Sequence, residues 1–132
     1  MQDIINVLEP IFQKHSCLIK PASELSLRAF RVIAYRHGLP EHVIEQLISF
    51  YSQVGDVPCL DSLDIHSCDD ESLFEWWRDG ELWLGTRDCY ILRWSSKKGL
   101  FCIGDASNIS FSKKEEFGNL ADSIIYLVNI YS

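Results

Sequence analysis

An α+β fold, with a central antiparallel β-sheet of about six strands packed by N-terminal helices and a C-terminal helix, follows from three observations on this 132-residue chain. Apolar residues recur at three- and four-residue spacing through the first fifty positions, the signature of helices with one buried face. Short aromatic and branched runs, broken by turn residues, fill Leu60 to Phe111. A second helical stripe then closes the chain.

The elements follow in order. Ile4, Ile5, Leu8, Ile11 and Phe12 have helical spacing, and Pro10 among them is expected to kink or break that helix. Ser23 to His37 starts from a serine cap and ends at Gly38, a residue that tolerates the left-handed turn after a helix. Pro40 suits the start of the next helix, where Val43, Ile44, Leu47, Ile48 and Tyr51 form the stripe and Gly55 marks its end. Strands are expected near Ser62–His66, Ser72–Trp77, Glu81–Leu84, Cys89–Trp94, Leu100–Gly104 and Asn108–Phe111, with turns at CDDES, RDG, GTRD and SSKKG. In Cys89–Trp94, Tyr90, Leu92 and Trp94 point one way and Cys89, Ile91 and Arg93 the other, so the sheet needs cover on both faces. Ser112 with Glu115 three residues on matches a capping box for a closing helix that carries Phe117, Leu120, Ala121, Ile124, Leu127, Val128 and Tyr131, with Gly118 inside it at a cost of about 1 kcal/mol.

Length and a 47% hydrophobic content fit a single domain that buries its core without metal or disulfide help. The opening MQDIINVLEPIF has neither the positive region nor the cleavage site of a secretory signal, and no apolar run reaches membrane-spanning length, so a cytoplasmic location is the expectation. The five cysteines have no CxxC pair and read as reduced, mostly buried thiols.

Charge is unevenly placed. Residues 1–36 carry +2 and residues 78–132 are neutral, whereas His37 to Trp77 has no Lys or Arg and nine carboxylates, which accounts for the net −7. Such a segment repels phosphate and attracts a basic partner in a salt-dependent way, or it is simply solvated surface. Within it, Asp61, Asp64, Asp69, Asp70, Glu71 and Glu75 stand beside Phe74, Trp76 and Trp77. Aromatic anchors with a charged rim are what a protein interface uses, and these residues, Trp76 and Trp77 included, are the candidate partner-binding site. One of the two tryptophans is expected in the core and the other partly exposed.

Other chemistries are weaker. The stretch GTRDCYILRWSSKKGLFCIGDAS sets Arg87, Arg93, Lys97 and Lys98 among aromatics as a single-strand-binding groove would, but Glu81, Asp88 and Asp105 offset that charge and the overall pI is near 4.9. It reads instead as a core hairpin whose basic residues decorate an exposed edge and turn. Cys59, Asp61, His66 and Cys68 could ligate zinc, yet C-x6-H-x-C is no recognised finger spacing. No nucleophile elbow, HExxH, P-loop or dinucleotide-binding glycine loop is present, so neither catalysis nor a cofactor is expected.

The order of parts resembles the SUKH superfamily, which includes fungal cell-wall assembly regulators and many bacterial immunity proteins. The resemblance lies in HGLPEHVIEQLISFYSQVGD, LWLGTRDCYILRW, GLFCIGDASNISFS and EEFGNLADSIIYLV, and spans about Gly38 to Tyr131. In that family a helix beginning near a Leu-Pro-Glu, here Leu39, Pro40 and Glu41, precedes an antiparallel sheet and further helices. Where members often have an Asn-Gly-Gly-type turn after that helix, this chain has Gln53, Val54, Gly55 and Asp56. The resemblance implies a non-catalytic binding protein, often one that neutralises a toxin; joined to the acidic segment, it leads to the expectation that this surface covers the basic cleft of a toxin such as a nuclease. The alternatives are a regulatory adaptor for an endogenous partner, which leaves toxin survival unaffected, and a small-molecule-binding or enzymatic domain, which a ligand raises in melting temperature.

Overall fold

The computed structural model describes residues 2–105 and 113–131, with Lys113 and Lys114 described in backbone only. Three helices, α1 (Gln2–Lys14), α2 (Glu24–Arg36) and α3 (Glu41–Tyr51), precede a six-stranded sheet, and α4 (Leu120–Val128) follows it. The strands are β1 (Val57–Leu60), β2 (Leu63–Ile65), β3 (Glu81–Arg87), β4 (Tyr90–Ser95), β5 (Leu100–Asp105) and β6 (Lys113–Phe117). They lie in the order β1-β2-β3-β4-β5-β6 and every neighbouring pair is antiparallel. The chain is therefore α+β, with helices packed on an antiparallel meander, as its periodicities predict.

Two rows across the sheet explain the core. Ile65, Gly85, Leu92 and Ile103 are opposed in register, as are Leu82, Trp94, Phe101 and Phe117. The helices cover this face: α4 lies on β4, β5 and β6, α1 packs on α4, and α2 packs on α3. Ile4 and Leu8 of α1, Phe30 and Ala34 of α2, Val43, Leu47 and Tyr51 of α3, and Ile124 and Leu127 of α4 all enter one apolar cluster with the sheet. Burial of this kind is the dominant favourable term in folding.

Gly85 is required by this arrangement. A Cβ there would stand 2.3 Å from the Asp64 carbonyl oxygen of β2, and β3 bulges between Trp83 and Gly85. The expected turn GTRD is thus displaced: Gly85 to Arg87 belong to β3, and Asp88, at φ 52°, is where the chain turns into β4.

Four other expectations are corrected. α1 runs through Pro10 to Lys14, its buried Ile4, Leu8, Ile11 and Phe12 holding it together where the proline removes one backbone bond. β1 was not anticipated, because VPCL carries a proline and Cys59 at φ 55°; it is an edge strand, where proline is tolerated. The expected strand Ser72–Trp77 is instead two short 3-10 turns, Glu71–Phe74 and Trp77–Asp79. Finally, α4 starts at Leu120, where the Asn119 side chain accepts the Asp122 N–H at 2.9 Å, so Glu115 lies in β6 and Gly118 precedes the helix. The expected strand Asn108–Phe111 and the Ser112 cap lie outside the described residues.

The cysteines are free, but only Cys68 and Cys102 are buried; Cys17 is half-buried and Cys59 and Cys89 are exposed. Among the described residues, no helix is long and apolar enough to cross a membrane.

Candidate functional site

The acidic-aromatic stretch connects β2 to β3, and its local chemistry explains its shape. Asp70 accepts the Ser72 backbone N–H at 2.9 Å, which starts the first turn and holds the Asp70 carboxyl below the usual carboxylate range. Leu73, fully buried, pins that turn to the core. Gly80, at φ 78°, ends the second turn in the left-handed region and lets Glu81 enter β3.

Trp76 and Trp77 diverge from this segment. The Trp76 ring stacks on Trp83 with centroids 4.5 Å apart and 12° between planes, on the sheet face that also carries Arg93. Trp77 stacks near-parallel to Trp94 at 6.4 Å on the core side, and its edge meets His37, itself stacked on Phe74 at 4.2 Å. Both tryptophans are half-buried, so neither is the fully buried residue expected of one of them.

His66 joins the two halves of the site. Its ring edge meets Trp83 at 4.5 Å, its Nδ1 lies 3.4 Å from Asp70 Oδ2, and its carbonyl accepts the Tyr51 hydroxyl at 2.8 Å. Burial drives the Tyr51 phenol far above its ordinary value, so it stays a neutral donor. Burial likewise pushes the Cys68 thiol up to about 11, with Asp69 adding to the effect, which favours the protonated thiol at neutral pH.

The candidate carboxylates separate into two groups. Asp61 accepts from Lys14 at 3.2 Å and lies 2.7 Å from His15 Nε2, contacts that hold its carboxyl below the usual range and tie the β1–β2 turn to the end of α1. Asp69 accepts the Ser26 hydroxyl at 2.8 Å, and Asp70 serves as the cap just described. These three have structural work inside the molecule. Glu71 and Glu75 do not: with Ser72 they line a shallow hollow of about 290 Å³, and among the described residues they have no ion-pair partner. Asp64 lies in β2 opposite Thr86, its side chain alternating with the buried Leu63 and Ile65, and it raises the pKa of the partly buried Asp56, whose own burial is the larger cause. The remaining acids of the segment, Glu41 and Glu45, are held by Arg31 on the helices, away from this stretch.

Two arginines of the β3–β4 hairpin are not the surface decoration expected of them. Arg93 is only 6% exposed and its Nη1 donates to both Glu81 carboxylate oxygens at 2.7 Å. Arg87, 9% exposed, donates from one guanidinium nitrogen to the Leu127 carbonyl at 3.2 Å and to the Val128 carbonyl at the end of α4. Lys97 and Lys98 do stand exposed in the β4–β5 turn. No sequence signal distinguished these pairs of cations, because burial depended on what α4 and Glu81 bring from elsewhere.

Among the described residues, no group of three His, Cys, Asp or Glu side chains is placed to hold a metal ion; Cys59 faces solvent while Cys68 is buried. Comparison of the chain with protein-family models, curated proteins and solved structures found no match.

Proposed function

We propose that this chain is a non-catalytic, SUKH-type protein-binding domain that neutralises a toxin by docking an acidic surface on a basic cleft of the toxin. The observation that carries this reading is the hollow formed by Glu71, Ser72 and Glu75 beside the half-buried Trp76. Two carboxylates with no ion-pair partner among the described residues, set on a turn next to an aromatic ring, can meet a partner's Arg or Lys without first breaking an ion pair among those residues. Asp64, Asp69 and Asp70 add negative potential around them, and potential of one sign raises association rates in a salt-dependent way. The SUKH part of the reading is supported by the order of elements, a helix opening at Glu41 directly after Leu39 and Pro40, then an antiparallel meander, then a closing helix.

The test uses Glu71→Gln/Glu75→Gln rather than changes at Asp69 or Asp70, whose side chains hold the local structure. Wild-type protein is used to capture a basic partner from lysates of the source cell and of competitors, beside the double variant. The expected result is a partner retained by wild type alone, toxic when expressed by itself and tolerated when wild type is co-expressed. A partner bound equally by both proteins, or one whose expression harms no cell, would overturn the reading.

A further inference from the structure

The outer surface of α2 is unlike the rest of the molecule. Only Phe30 and Ala34 of this helix are buried, whereas Leu25 is 77% exposed, Tyr35 74% and Val32 49%. At 100° per residue, Leu25, Ala29, Val32 and Arg36 fall within about 60° of one another, on the side opposite Ala34. Beside that line, Arg31, Val32, Tyr35, Arg36, Glu41 and Ile44 border a groove of about 440 Å³ between α2 and α3.

From this stripe we infer that α2 is a homodimer interface, and that its occupant is α2 of a second copy running antiparallel about a two-fold axis. The stripe is self-complementary. In a two-fold pair centred between Phe30 and Arg31, Leu25 opposes Arg36 of the second copy and Ala29 opposes its Val32, and each relation is repeated by symmetry. Ala29, the small residue, lies next to the centre, where the helices must approach most closely. Leu25 of the second copy lands at the mouth of the groove, between Val32, Tyr35 and Arg36, as a knob enters a hole.

Charge agrees with the same register. α2 begins with Glu24 and ends with Arg36, so antiparallel pairing brings each acidic end beside a basic end, whereas parallel pairing sets like ends together. Arg28, beside the stripe, is neutralised within its own chain by Glu24 at 2.7 Å, and Arg31, turned toward α3, by Glu45. The exposed apolar side chains offer on the order of 400 Å² per copy, about half of the roughly 800 Å² per partner of a standard stable interface, with the stems of Arg28 and Arg36 and the rim of the groove adding to it.

Sedimentation velocity of the full chain from about 1 to about 300 µM tests this directly. The expected result is a rise from the 15.2 kDa monomer toward twice that mass, weakened about tenfold or more by Val32→Glu and by Leu25→Lys, which sets a second cation against Arg36 of the other copy. Both sites are solvent-exposed, and unchanged thermal unfolding of either variant at low concentration excludes misfolding as the cause. The register has its own readout: adding Arg36→Glu to Leu25→Lys restores association, because the two positions oppose each other only in the antiparallel pair. A monomer throughout the range, or a dimer indifferent to Val32→Glu and Leu25→Lys, would overturn the proposal. A dimer that the added Arg36→Glu fails to restore would overturn the antiparallel register.

Discussion

Replacing Arg87 by Met tests whether a strand residue closes the end of the last helix. The last four carbonyls of an α-helix have no partner within it, and those of Leu127 and Val128 are met by one buried guanidinium nitrogen of β3. The charge also sits at the negative end of the helix dipole, and the guanidinium lies 5.2 Å from the centre of the Tyr131 ring. Methionine keeps most of the packing volume but leaves both carbonyls without this donor. At about 1–3 kcal/mol for each unsatisfied buried group, less what is recovered by no longer burying a charge, the net loss is about 2–3 kcal/mol. Urea unfolding reads this as a lower midpoint at unchanged slope, and hydrogen exchange adds the location: amides near the end of α4 lose protection before those of α3. Arg87→Lys should recover part of the loss, because it restores the charge without the broad planar fork. A midpoint for Arg87→Met that shifts by less than about 0.5 kcal/mol would refute the argument, since exposed substitutions alone produce changes of that size.

Two further predictions concern the neighbours of Asp64 in β2. Gly85→Ala drives a methyl against the Asp64 carbonyl at 2.3 Å, so one strand must move; a loss of about 2–4 kcal/mol is expected by chemical denaturation, and a neutral result would mean that the β2–β3 pairing is much looser than its register indicates. Asp56 has a carboxyl raised by burial and by Asp64, so the folded state holds its proton more tightly than the unfolded chain does. Its contribution favours folding below about pH 4 and is lost as pH rises through the elevated folded value. Asp56→Asn should accordingly raise the melting temperature at pH 7 and leave it nearly unchanged at pH 3; an equal effect at both values would show that charge is not the cause.

How much of this was legible in the residues depends on the range over which the cause acts. The stripe of α3, the Ser23 cap and Gly38 that bound α2, and the alternation in β4 are local, so residue type and spacing located them. Trp76 and Trp77 diverge for a local reason as well, yet the element carrying them was misread: the Asp70 cap and the buried Leu73 make helical turns where composition suggests a strand. β1 escaped notice because an edge strand with a proline and a left-handed cysteine shows no alternation.

Charge composition located the acidic segment but could not apportion it. Whether a carboxylate is bound or free depends on groups far along the chain: Lys14 and His15 reach Asp61 across more than forty residues, and Ser26 reaches Asp69. That selection leaves Glu71 and Glu75 as the acids to test. The same holds for the hairpin cations, since Arg87 and Lys97 look alike in sequence and only the docking of α4 gives one of them two buried carbonyls to satisfy. Sequence by itself therefore determined the class of fold, most of its elements and the sign of the charge along the chain, all set by neighbours within a few residues. Tertiary structure alone decided which polar groups are enclosed and paired, because burial and hydrogen bonding are settled by residues that folding brings together.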